Sequence, residues 1–381
     1  MLTLIENAEV YAPEYRGRVS LLFNQTMLKV GRVDRRALDA LGIPYEAIDA
    51  QGRYAVPGLI DPHEHLCGGS GNGGFSTESP PIFFREIVMA GITTVVGTLG
   101  TDTTTTKHHA LLARVKGLRE MGLTAFMYTG GYNVPPSTIC GSVRDDIMLF
   151  DEIIGAGEVA IADSRSTDPD PHELARLVND AYVAGMLANK AGVTHFHVGD
   201  RPRGMAMLRT VLDEYDTLPQ SLYPTHIERN EKLMLEGIDL VKRGCTADID
   251  VVEKDLTKWL PFYLDHGGDP DRLTVSSDTF MTGPHNLFDQ IRACIRECGM
   301  GIERILPFAT TNTARVLKLP TKGRIAEAME ADLLVLEPGS YDIVEVFAKG
   351  QWLVRGGGLA VQEKFLAKSD RDLQLVGNQR K

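Results

Sequence analysis

Short apolar runs bounded by turn residues occupy both ends of the chain, and a different rhythm fills the middle. Residues 2–5, 9–11, 20–23 and 27–30 are β-rich and separated by Pro, Gly and Asn, the pattern of short strands with turns. Residues 331–336, 343–348 and 351–354 repeat it near the other end, with breaks at Glu337-Pro338-Gly339 and Gly356-Gly357-Gly358. Between them the apolar run at 93–98 precedes helical spacing over 107–121. Strand-like runs then recur at 125–129, 159–162, 194–198, 223–225, 246–249 and 273–276. Helical stretches at 172–188, 205–214, 231–243 and 286–297 lie between them. Parallel strands need crossover helices, so about eight βα units over 57–320 predict an α/β fold, a (β/α)8 TIM barrel. Residues 1–56 and 321–381 then meet as a small β-sandwich domain built from both chain ends.

Composition narrows the class without naming a chemistry. Of the 381 residues, 43% are hydrophobic and 24% charged, which is ordinary globular usage and excludes a disordered or fibrous chain. The formal net charge of −11 argues against nucleic acid or an anionic membrane as a partner. Five cysteines are few, odd in number and unpatterned, so they read as reduced thiols rather than a disulfide frame. The first residues carry no basic segment, their apolar run ends at Glu6, and no 18-residue apolar stretch occurs; the expectation is a cytoplasmic chain with no membrane span.

Histidine placement is more informative. Pro57-Gly-Leu-Ile-Asp-Pro-His63-Glu-His65 ends an apolar run in His-x-His, and the two-residue period puts both imidazoles on one face of a strand. Two neutral imidazoles converging on one point suit a divalent transition metal, and barrel chemistry sits at the carboxyl ends of strands. Three more strand ends carry suitable groups: Thr194-His195-Phe196-His197, Tyr223-Pro-Thr-His226 and Leu273-Thr-Val-Ser-Ser-Asp278. Any one of them is as well explained by packing. Together they fit a metal-activated water with an acid/base carboxylate beside it. His172, His266, His108, His109 and His285 receive no role, and His195 reads as strand packing.

This order of groups resembles the amidohydrolase superfamily and, more narrowly, the isoaspartyl (β-aspartyl) dipeptidases. The likeness runs over nearly the whole chain and includes Pro57-Gly-Leu-Ile-Asp-Pro-His-Glu-His-Leu with the following Gly-Gly-Ser-Gly, Gly91 to Asp102, Thr129-Gly-Gly-Tyr132-Asn-Val-Pro and Ser276-Ser-Asp278. The resemblance implies a binuclear, usually zinc, hydrolase in which a metal-bridging hydroxide attacks an amide carbonyl. His63, His65 and Asp278 would hold the buried metal, and His197 and His226 the second. Asp278 would also take the proton and return it to the leaving amine, while Tyr132 polarises the carbonyl. Arg165 and Arg229 match arginines that grip the substrate carboxylate, for which a bidentate guanidinium is the suited group. Thr101 and Thr282 match further substrate contacts. The relatives assemble into large homo-oligomers.

Two departures follow. The family bridges its metals with a carboxylated lysine near the fourth strand, but no lysine lies between Lys116 and Lys190. Glu158, in Gly155-Ala-Gly157-Glu158-Val, falls at that position. It offers the same bidentate oxyanion on a shorter arm, and the two glycines would let the backbone come closer. The expectation is two divalent ions bridged by Glu158 without carbon dioxide; the plainer alternative is an exposed glutamate before the strand and a mononuclear site. In the loop after His65, Asn72 stands where isoaspartyl dipeptidases place a glutamate for the substrate's α-ammonium. The substrate is then a small β-aspartyl dipeptide or an N-acyl, carbamoyl or cyclic amide bearing a carboxylate. An inactive scaffold and a mononuclear deaminase are the remaining alternatives, and the full set of ligand-type residues argues against both.

Overall fold

The computed structural model describes residues 2–370. Eight parallel strands form the barrel: β1 Leu59–Glu64, β2 Ile92–Gly97, β3 Thr124–Thr129, β4 Ile153–Ile161, β5 Val193–Val198, β6 Leu222–Thr225, β7 Ala247–Asp250 and β8 Leu273–Ser276. Hydrogen-bonded ladders join β1 through β6 in order and β7 to β8. The two remaining seams are closed differently. Between β6 and β7, the Thr225 hydroxyl donates to Asp248 at 2.7 Å. Between β8 and β1, the Asp278 N–H donates to the His63 carbonyl and the His65 N–H to the Thr279 carbonyl, both at 3.1 Å. Nearly every strand residue is buried, because helices cover the outer face and side chains fill the inner one.

The covering helices include His108–Glu120, Pro171–Ala188, Ala206–Glu214, Glu231–Lys242, Leu256–Asp265 and His285–Glu297. Pro171–Ala188 starts at a capping box: the Asp170 carboxylate accepts from the Glu173 N–H at 2.8 Å, and Glu173 accepts from the Asp170 N–H at 2.9 Å. β4 differs from its expected span of 159–162. It begins at Ile153 and so contains Gly155, Gly157 and Glu158, which places the glutamate inside a buried strand rather than exposed before one.

The flanking segments form a single nine-stranded sheet, with Leu333–Leu336 from one end of the chain pairing antiparallel to Tyr54–Pro57 from the other. Leu2–Tyr11 is one strand with a register shift after Ile5, where two separate runs were expected. This sheet has its own core, including Ile5, Val10, Leu21, Phe23, Leu333 and Phe347. A larger core packs the helices onto the barrel. No helix among the described residues is long and apolar enough to cross a membrane.

Candidate metal centre and cleft

Six side chains meet at the carboxyl ends of the barrel strands, and all are buried: His63, His65, Glu158, His197, His226 and Asp278. β1 delivers His63, the residue just after it is His65, β5 delivers His197, and the turns after β6 and β8 deliver His226 and Asp278. Both turn residues hold left-handed backbone, with φ of 65° and 44°. That conformation is uncommon outside glycine and tends to collect at functional sites.

Glu158 reaches the centre through an extra residue in β4. Thr194 pairs with Ala156 but Phe196 pairs with Val159, so the ladder bulges at Gly157–Glu158, a device that re-aims a side chain. Gly157 sits at φ 144°, and a Cβ there would lie 2.7 Å from the His195 carbonyl oxygen. Only glycine allows that approach. The Glu158 N–H donates to the Thr98 hydroxyl at 3.0 Å.

The carboxylate of Glu158 divides between two groups of imidazoles. Its Oε1 lies 3.4 Å from both His63 Nε2 and His65 Nε2. Its Oε2 lies 3.1 Å from His197 Nδ1 and 3.7 Å from His226 Nε2. Asp278 Oδ1 is 3.4 Å from His63 Nε2 and 3.1 Å from His65 Nε2. His63 Nε2, Glu158 Oε1, His226 Nε2 and Asp278 Oδ1 are buried without a hydrogen-bond partner. Buried polar atoms are otherwise almost always satisfied. Burial works against a charged His63, yet Glu158 and Asp278 pull its pKa up to about 10. The carboxylates thus demand a cation among these rings, and the donor set suits a divalent transition metal. His63, His65 and Asp278, and separately His63, Glu158 and His226, present ligand atoms close enough to share an ion.

The ring nitrogens of His226, His197 and His63 that face away from this centre have fixed partners, whereas His65 Nδ1 is buried without one among the described residues. His226 Nδ1 meets Asp250 Oδ2 at 2.6 Å, and His197 Nε2 meets Asp163 Oδ2 at 3.0 Å. His63 Nδ1 meets His195 Nε2 at 3.1 Å, and His195 Nδ1 meets the Tyr223 carbonyl at 3.0 Å. Burial drives His195 well below the usual imidazole range, so it is neutral. Asp163, Asp250 and His195 were not assigned from the sequence; the alternation of His195 with His197 and of Asp248 with Asp250 along apolar strands was the available signal.

A cavity of about 580 Å³ opens onto the centre. Thr101, Tyr132, Arg165 and Arg229 line it, as do Glu228 and Asp250. The Tyr132 hydroxyl lies 2.8 Å from His197 Nδ1. Burial, followed by the charge of Glu158, raises its pKa well above the ordinary value, which keeps its proton available for donation. Arg165 grips Asp163 with Nε and Nη2 at 2.9 and 2.8 Å, and its guanidinium stacks over the Tyr132 ring. Arg229 is exposed and makes no ion pair or hydrogen bond among the described residues. Asn72 is exposed, and neither it nor Thr282 lines the cavity. His108, given no role from sequence, is buried against Gly130, whose N–H donates to its Nε2 at 2.9 Å, holding the loop that carries Tyr132.

A solved structure of a β-aspartyl dipeptidase from Fervidobacterium islandicum AW-1 superposes with a TM-score of 0.92 at 38% identity, covering 96% of this chain and 100% of that one. Its complex with the dipeptide β-Asp-Leu gives 0.89 at 37% identity, with coverage of 96% and 100%. Among curated sequences, an adenine deaminase from Geobacillus kaustophilus (strain HTA426) is 26% identical over 337 residues, 82% of this chain and 51% of the relative. The chain thus spans about half the length of the curated relatives it matches. The model of the amidohydrolase family matches residues 54–355, a stretch holding every barrel strand and all six side chains of the centre. The chain therefore belongs to the amidohydrolase family.

Proposed function

We propose that the protein is a binuclear metal-dependent hydrolase that cleaves the amide bond of β-aspartyl dipeptides. One observation carries the binuclear reading: Glu158 turns one carboxylate oxygen to His63 and His65 and the other to His197 and His226. His63, His65, Asp278 and Glu158 would hold one ion, zinc by donor chemistry, and His197, His226 and Glu158 the other. When bound, such a pair supplies Lewis acidity that polarises the amide carbonyl and lowers the pKa of water. The substrate class is supported by the solved dipeptidase structures that superpose over nearly the whole chain.

The chain's own groups divide the remaining work. Asp278, a carboxylate at the rim of the centre, takes a proton from the attacking water and returns it to the leaving nitrogen. Tyr132 keeps its phenolic proton and donates to the developing oxyanion. Arg229, with no ion pair or hydrogen bond among the described residues, takes a substrate carboxylate. Arg165, clamped by Asp163, presents its remaining amino group to the cavity.

The test is a substrate panel on protein reconstituted with zinc in bicarbonate-free buffer. β-Asp-Leu is expected to be hydrolysed, with about two zinc ions retained per chain after dialysis. Glu158→Gln is expected to hold about one ion or fewer and to lose activity by about a hundredfold or more. Activity on adenine, or only on a cyclic or carbamoyl amide, would overturn the dipeptide reading. A need for bicarbonate would overturn the direct glutamate bridge.

A further inference from the structure

Glu228 and Arg229 are consecutive residues on the 3-10 turn Ile227–Arg229 that follows His226, and both line the cavity. Arg229 is exposed and unpaired among the described residues, whereas Glu228 is only 6% exposed. Its Oε2 has no hydrogen-bond partner. A buried carboxylate oxygen without a donor is costly, and either a proton shared with the hydrogen-bonded Asp250 side chain or a cation from outside the chain removes the cost. Asp250 has no proton of its own to offer: its Oδ2 is bonded to His226 Nδ1 and its Oδ1 accepts from the Val252 N–H at 2.9 Å. Asp250 adds negative charge at the same spot.

Resting on the dipeptidase reading above, we infer that Glu228 receives the α-ammonium of the substrate's aspartyl residue while Arg229 takes the α-carboxylate on the same carbon. A zwitterionic head carries its two charges on neighbouring atoms, and adjacent acidic and basic side chains on one turn match them. Asn72, exposed and outside the cavity lining, does not fill this role, and the carboxylate that the loop after His65 does bring to the lining, Glu78, is exposed rather than buried. A third metal ion is the competing occupant, because His226, Glu228 and Asp250 present ligand-type atoms within 4.8 Å of one another. His226 argues against it: Nδ1 is already bonded to Asp250 and Nε2 faces Glu158. An ammonium needs only acceptors there, and Glu228 provides one.

The inference is read from a ratio. N-succinyl-leucine is β-Asp-Leu without its ammonium, so kcat/KM for the two is compared in zinc-loaded wild type, Glu228→Gln and Glu228→Asp. Wild type is expected to favour β-Asp-Leu, and E228Q to cut that preference at least about tenfold, chiefly through KM for β-Asp-Leu, as loss of a charge-assisted hydrogen bond does. E228D is expected to restore part of it. A purely structural role would lower both substrates together and leave the ratio intact, which would overturn the inference. Loss of a zinc ion in E228Q would overturn it in favour of the third metal. If wild type cleaves neither substrate, the dipeptidase reading fails separately and binding decides the inference. L-aspartate should then raise the melting temperature of wild type more than succinate does, and E228Q should abolish the difference. Equal shifts in wild type would overturn it.

Discussion

The direction of a single proton reaches the candidate metal centre through three residues. The Tyr223 carbonyl can only accept, so Nδ1 of neutral His195 must carry hydrogen and its Nε2 must accept. His63 Nδ1 is therefore the donor to that nitrogen, and the proton that Glu158 and Asp278 hold on His63 sits at Nε2, on the lone pair an ion would take in its place. His195→Ala removes this relay and should weaken zinc retention about 10- to 100-fold in a chelator competition; unchanged affinity would reduce His195 to packing. Asp163→Asn should weaken it similarly, since Asp163 orients both His197 and Arg165. Sequence period places His195 and His197 on one face but carries no depth along the barrel axis. That is why His195 read as packing. The approach of Asp163 to His197 arises only when the turn after β4 folds back, so spacing alone could not reveal it.

At the level of elements, the β4 bulge decides whether a side chain as short as glutamate reaches between the two imidazole groups. Gly157→Ala sets a methyl against the His195 carbonyl and strains a backbone at φ 144°. The expected outcome is a loss of roughly 1–3 kcal/mol in stability, seen as a lower melting temperature, with reduced zinc content because Glu158 is displaced. The alternation of strands and helices that builds a barrel was legible, and β8 and the strand Ile343–Ala348 match the expected spans. Glycines 155 and 157 look like breaks in sequence, so the expected β4 starts only at 159, whereas in the fold they lie within the strand and admit its neighbour. Asn7, with φ 56°, likewise looks like a turn between two runs but lies within the single strand Leu2–Tyr11. Helix Leu256–Asp265 holds Pro261, a residue that argues against helix in any local reading.

Across the whole molecule, the chain passes from the barrel to the flanking sheet through a buried charge cluster. Lys322 pairs with Asp332 and with Glu330, the latter at 2.7 Å, and Asp332 directly precedes the strand Leu333–Leu336. Lys322→Met leaves Asp332 buried without its cation and should cost about 3–5 kcal/mol in denaturant unfolding. Burial raises the pKa of Glu330, but Lys322 outweighs it and the net shift is downward. A depressed carboxylate stabilises the fold fully above its ordinary value of 4.5, and that contribution drains as pH falls through the lowered one. Wild type should therefore lose more stability than Lys322→Met between pH 5 and strongly acidic solution. The β8–β1 seam couples the barrel to its centre in another way. His63, His65 and Asp278 supply both the backbone bonds that close this seam and side chains of the centre. An ion held by all three would act as a rivet across this seam of the barrel wall, so that loading and closure would share one free energy. The amide hydrogens of His65 and Asp278 should exchange with solvent much faster after chelation, while those inside the β3–β4 ladder barely change.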